Sequence, residues 1–191
     1  MQNIYNQIVS ILIRTKNVAD EDREVYEYAL KIFVRGIINF LTVIFIGFGF
    51  GMFKESLIIF VAFFALRKFT GGVHADSYFY CLVSSAIIFV FCLFSVRVFS
   101  YLDNSYIILM AALSVLIICI LAPARHPNKI MNDKEITIYK IISIILSIVI
   151  LLIIVSCLFI NRKIISASLA VSEIVVSILL ICGKLKYQKN N

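Results

Sequence analysis

Six apolar runs dominate this chain of 191 residues, at roughly 37–53, 56–66, 82–101, 106–122, 141–160 and 164–182. Most approach the ~20 residues that cross a bilayer core. Backbone in lipid has to satisfy its own hydrogen bonds, so runs of this length and without strand alternation are helices. The predicted fold is therefore all-α. It is a polytopic membrane bundle of about six transmembrane helices over 37–182, one domain with an N-terminal interfacial amphipathic region (1–35) and a short tail (183–191). The second run is short, and only Lys54 and Glu55 part it from the first. A tilted or partly re-entrant helix there, leaving five full spans and a hairpin, is the alternative. The N-terminus does not read as a cleaved signal, because five basic and five acidic side chains are spread over its first 36 residues.

Composition supports the same class. The chain is 62% hydrophobic, where a soluble domain is roughly 45–50% apolar. A net charge of +7 would point a soluble protein toward nucleic acid. Here the cations follow the positive-inside rule, and no nucleic-acid partner is expected. With a cytoplasmic N-terminus, Arg14, Lys16, Arg23, Lys31 and Arg35 fall inside. So do Arg67 and Lys68, the four cations between Arg125 and Lys140, and Lys184, Lys186 and Lys189. Lys54, Arg162 and Lys163 fall outside, and Arg97 lies near the outer end of a span, where it can snorkel. Ile4, Ile8, Ile11 and Leu12 recur at helical spacing beside Arg14 and Lys16, the pattern of a helix lying on the membrane. That helix serves either as an anchor or as a docking surface. Asp20 is a candidate N-cap for a second helix.

Between the second and third runs lies a polar island, Arg67-Lys68-Phe69-Thr70-Gly71-Gly72-Val73-His74-Ala75-Asp76-Ser77-Tyr78-Phe79-Tyr80-Cys81. Polar clusters are costly to insert beside a membrane and tend to be used. A cysteine nucleophile needs a thiolate and a nearby imidazole to make it. His74 and Cys81 are the pair placed for this, since His126, the other histidine, sits in a separate loop. On one regular helix a seven-residue offset would separate them by ~10 Å. The chain is thus expected to break near Gly71-Gly72 and fold His74 back over Cys81 at the start of the third span. A helix N-terminus favours a thiolate, and Arg67 and Lys68 either add to that field or bind substrate carboxylates. Asp76 either orients the imidazole or caps a helix. Glu173, the lone acid of the last apolar run, is either a supporting residue paired with His74 or Arg67, or a glue between helices. Five cysteines without CxxC or HExxH patterns suggest neither a disulfide framework nor a metal site, and no cofactor is expected.

The island resembles that of the AgrB family, membrane-embedded cysteine peptidases that process the precursor of a bacterial quorum-sensing peptide. The likeness rests on Arg67, Gly72, His74 and Cys81, on the amphipathic N-terminus, on Ala122-Pro123-Ala124 before a basic loop, and on Glu173. The resemblance implies His74 and Cys81 as catalytic residues in a bacterial cell membrane, with the site facing the cytoplasm. It implies an AgrD-like propeptide as partner, cleaved and cyclised to a thiolactone or lactone through a Cys81 acyl-enzyme, and a homodimer. Arg67, Lys68, Lys129 and Lys134 are the candidate substrate contacts. The 125–140 loop departs from the pattern, since Asp133 and Glu135 interrupt its cations, which bears on Lys129 and Lys134. A peptide exporter or a membrane scaffold without peptidase activity is the alternative.

Overall fold

The computed structural model describes residues 23–72, 78–124 and 132–188. They form six helices: α1 (Arg23–Gly49), α2 (Phe53–Thr70), α3 (Tyr78–Tyr101), α4 (Asn104–Leu121), α5 (Asp133–Phe159) and α6 (Lys163–Gln188). No strand occurs among the described residues. The interfacial pattern of Ile4 to Leu12 and the Asp20 cap lie outside them.

Five helices (α1, α3, α4, α5 and α6) are long and apolar enough to cross a membrane. The short second run becomes α2, a continuous helix of 18 residues, with length for ~27 Å at 1.5 Å per residue. It carries Lys54 and Glu55 at one end and Arg67 and Lys68 at the other, which is why it reads as less apolar than its neighbours. Helices also extend beyond the predicted runs. α5 begins at Asp133, where the Asn132 backbone N–H donates to the Glu135 carboxylate at 3.1 Å, closing the first turn as in a capping box. α6 runs on to Gln188, well past the predicted end at 182.

The chain divides into two compact units, one ending at Thr42 and the other beginning at Val43. In the first, the described residues are all helical and pass through Gly36 without a break. The expected boundary between interfacial helix and first span, near residue 36, is therefore not marked by a turn. A lone glycine costs only about 1 kcal/mol in a helix, too little to end one. The Arg23 guanidinium pairs with Glu27 one turn on, at 3.3 Å.

In the second unit, α6 is the central element and packs against α2, α3, α4 and α5. Every residue from Ser166 to Glu173 is buried. Its small side chains explain why: in lipid, helix association depends on close approach, which serine and alanine permit. Two interhelical hydrogen bonds set the register of α5 against α6. Ser147 Oγ donates to Glu173 Oε1 at 2.9 Å, and Ser166 Oγ donates to the Ile154 carbonyl at 3.0 Å. In an antiparallel pair, that register brings Ser143 opposite Ser177 and Ile150 opposite Ala170. All eight of these residues are buried, and their 4-3-4 spacing is that of a helical seam. At the opposite end from the island, Ser56 Oγ donates to the Val43 carbonyl at 3.0 Å. There Arg97 reaches the Phe50 carbonyl at 3.2 Å.

Ala170 has no exposed surface and faces Ile150 across this seam. Ala170→Leu is expected to destabilise the bundle by about 1–3 kcal/mol through overpacking. Thermal unfolding in detergent checks this, and Ile148→Leu, on the exposed surface, is the control expected to be near neutral.

Candidate functional site

The polar island begins on the last turn of α2. There the helix stops because Gly71 and Gly72 adopt φ of 70° and 130°, backbone that side-chain-bearing residues rarely enter. The Gly71 N–H closes the helix onto the Arg67 carbonyl at 3.2 Å. Three elements then hold the turn. Arg67 Nη1 curls back to donate to the Gly71 carbonyl at 2.9 Å. The Ala124 N–H donates to the Thr70 carbonyl at 2.9 Å, making an isolated parallel bridge between Gly71 and Ala124. The Leu179 carbonyl of α6 lies 3.0 Å from where a Cβ on Gly72 would sit. Thr70 is fully buried beneath it.

A Cβ on Gly72 would overlap the Arg67 guanidinium, and one on Gly71 would come 2.6 Å from the Ala124 carbonyl oxygen. Gly71 is therefore required by close approach as well as by φ, while Gly72 is required by φ, with the Leu179 carbonyl tight against it. The Ala122-Pro123-Ala124 segment, with a cis Ala122–Pro123 peptide, is thus a partner of the island, 50 residues away in sequence. Nothing in the sequence pattern links the two. Close by, the Phe69 ring meets Tyr139 of α5 edge-on at 5.7 Å between centroids, and Lys68 Nζ lies 5.6 Å from the Phe69 centroid.

One helix does not run from Arg67 to Cys81: α2 ends at Thr70, and α3 begins at Tyr78. Cys81 lies in the first turn of α3 as a free, partly exposed thiol. Phe79 and Tyr80 beside it are exposed and suit the membrane interface. Cys92, deeper in α3, is buried. His74, Asp76 and Lys129 lie outside the described residues. Lys68 is exposed at the end of α2, and Lys134 is exposed on the first turn of α5, flanked by Asp133 and Glu135.

Glu173 is fully buried at the middle of α6, and its Oε1 accepts a hydrogen bond from Ser147 of α5 at 2.9 Å. Its Oε2 has no partner among the described residues. The Ser147 bond joins two helices; His74, a partner offered in the other reading, lies outside the described residues. Ser147 was not singled out from sequence. The signal for it is the 4-3-4 spacing of Ser143, Ser147, Ile150 and Ile154, which matches that of Ser166, Ala170, Glu173 and Ser177. Arg67, expected to hold substrate or to support the thiolate, has a hydrogen bond committed to the turn itself.

The turn yields a test. Gly72→Ala is expected to cost about 1–3 kcal/mol of stability, the range for forcing a side chain into strained backbone. Gly36→Ala, with open space around the site of its Cβ, is expected to be neutral or to stabilise by up to ~1 kcal/mol. Paired unfolding measurements of the two variants check this.

A profile of the family described as accessory gene regulator B matches residues 5–181. Protein FsrB of Enterococcus faecalis is 29% identical over 168 residues, covering 81% of this chain and 66% of that protein. Accessory gene regulator protein B of Staphylococcus carnosus is 28% identical over 122 residues, covering 61% of this chain and 63% of that protein. The chain thus spans just under two thirds of the length of these relatives. No solved structure matches.

Proposed function

The chain belongs to the accessory gene regulator B family, and from that membership and the setting of Cys81 we propose that it is a membrane-embedded cysteine endopeptidase. Its substrate is an AgrD-like propeptide with an amphipathic leader, a signal segment and an acidic tail. The observation that carries the reading is the partly exposed thiol in the first turn of α3, on the helix that follows a turn clamped from three sides.

The reaction uses His74 and Cys81. The imidazole takes the proton of the Cys81 thiol, and the thiolate attacks the carbonyl carbon of the peptide bond that ends the signal segment. As the tetrahedral intermediate collapses, the C–N bond breaks. The imidazolium gives its proton to the departing amine, which frees the acidic tail and leaves a thioester on Cys81. A thiol or hydroxyl within the peptide then loses its proton to the imidazole and attacks that thioester. The ring closes as a thiolactone or lactone, and the Cys81 thiolate leaves and regains a proton. Hydrolysis competes with ring closure, so water must be kept from the intermediate, and a site at the membrane boundary helps to do this. Holding the internal nucleophile beside the carbonyl raises its effective concentration.

Asp76 orients His74. Arg67 keeps the turn, and Lys68, Lys129 and Lys134 meet the acidic tail. The reactive end faces the cytoplasm, which the positive-inside rule supports. Arg67 and Lys68 close α2 there, Lys134 and Lys140 open α5, and Lys184 and Lys186 close α6. The enzyme works in the bacterial cell membrane as a homodimer.

Co-expression with the propeptide from a neighbouring reading frame tests the proposal. Cys81→Ala and His74→Ala are each expected to lower tail release by about a thousandfold or more, as loss of a nucleophile or its base does. Intact-mass analysis of the wild type is expected to find an acyl adduct on Cys81. Cleavage retained by either variant overturns the assignment.

A further inference from the structure

Glu173 and Ser147 lie inside the bundle and join α5 to the helix whose backbone forms one wall of the Gly72 turn. Glu173 is fully buried, and its Oε1 accepts from Ser147 Oγ at 2.9 Å. Six residues further along α6, just under two turns, the Leu179 carbonyl abuts Gly72. Eight residues before Ser147 on α5, Tyr139 packs on Phe69 of α2. α6 also packs directly on α2, and its axial position relative to α5 contributes to where the Leu179 carbonyl meets the turn at the end of α2.

The short turn at 160–162 joins the two helices at one end; along the seam itself, the other buried positions set the register only weakly. Ser143 and Ser177 donate to carbonyls of their own helices, those of Tyr139 at 2.7 Å and Ile174 at 2.7 Å. Ile150 and Ala170 are apolar, and apolar contacts in lipid discriminate weakly between registers. Of the bonds that cross the seam, that of Ser166 goes to a backbone carbonyl, an acceptor that recurs at every residue. The Glu173 bond needs a side chain on each helix. One turn out of register in one direction, the carboxyl would face Ile150 or Leu151 and leave a polar group in an apolar contact.

We propose that Glu173 is a positioning residue for the reaction, which, through Ser147, locks the register of α6 so that the Leu179 carbonyl backs the Gly72 turn. This rests on the reading of Cys81 as nucleophile. It assigns Glu173 no contact with substrate and makes its hydrogen-bond acceptor, rather than its charge, the working feature.

The test has a register arm and a reaction arm. In a chain otherwise free of cysteine, Ile150→Cys with Ala170→Cys is expected to cross-link readily. Adding Glu173→Leu is expected to lower that cross-linking at least about threefold, given the energy of one interhelical hydrogen bond. It is also expected to raise cross-linking between Ile154→Cys and Ala170→Cys. In the otherwise unaltered chain, Glu173→Gln, which keeps an oxygen for Ser147, is expected to release the propeptide tail within about twofold of wild type. Glu173→Leu and Ser147→Ala are expected to slow release about 3- to 20-fold, with propeptide binding unchanged when measured in a Cys81→Ala background. The exchanged pair Ser147→Glu with Glu173→Ser is expected to restore the rate. If Glu173→Leu does not fold, Ser147→Ala carries the test alone.

The proposal fails if Glu173→Gln is as slow as Glu173→Leu, if the exchange does not restore the rate, or if the cross-linking pattern is unmoved. A cleaving Cys81→Ala enzyme would instead remove the peptidase reading, and the cross-linking arm would still report on the register.

Discussion

A helix that ends beside a membrane leaves carbonyls and N–H groups that lipid cannot satisfy, and the island end of α2 is organised around that constraint. α2 stops at Gly71-Gly72 because their φ leaves the helical range, and two hydrogen bonds take up loose carbonyls there. Ala124 supplies an N–H to the Thr70 carbonyl. Arg67 supplies one to the Gly71 carbonyl. Gly72 fits against the Leu179 carbonyl because no Cβ stands in the way. The contacts come from α2 itself, the segment after α4 and α6, so the turn is where the three meet. The helix that carries Cys81 begins at Tyr78.

The centre of the bundle meets the same constraint differently. α6 is surrounded by four other helices, and its buried face is built from serine and alanine more than from large apolar residues. In water such a face would gain little from burial. In lipid, where tails are as apolar as leucine, close approach and a few hydrogen bonds carry the association. The serines serve both needs, being small and able to return their hydroxyls to a carbonyl of their own helix, as Ser143 and Ser177 do. The large apolar side chains that the sequence puts on display, such as Phe91 and Leu152, face outward as a lipid-facing surface requires.

How much of this was legible in the sequence depended on the kind of signal. Hydrophobic runs reported six helices, because crossing a bilayer demands length and apolarity from each segment alone. Their ends were less legible. α5 begins eight residues before its apolar run because Asn132 and Glu135 close its first turn, and α1 ignores Gly36. The break at Gly71-Gly72 and the place of Cys81 at the start of α3 were readable, since two adjacent glycines are a local signal. The bridge from Gly71 to Ala124 was not, because a contact between segments 50 residues apart leaves no trace in either. Glu173 was recognised as an intramembrane acid that needs a partner. Ser147 became its partner only once the facing seams of α5 and α6 were seen in register.

The central claim is that Cys81 is a cytoplasm-facing thiol made reactive by His74. The most direct test is the rate at which a membrane-impermeant maleimide labels Cys81, with the other four cysteines replaced by alanine, in inverted and in right-side-out membrane vesicles. The account predicts rapid labelling in inverted vesicles alone, slowed about tenfold or more by His74→Ala, which removes the base that activates the thiol. Labelling from the outer face, or a rate indifferent to His74, would contradict it.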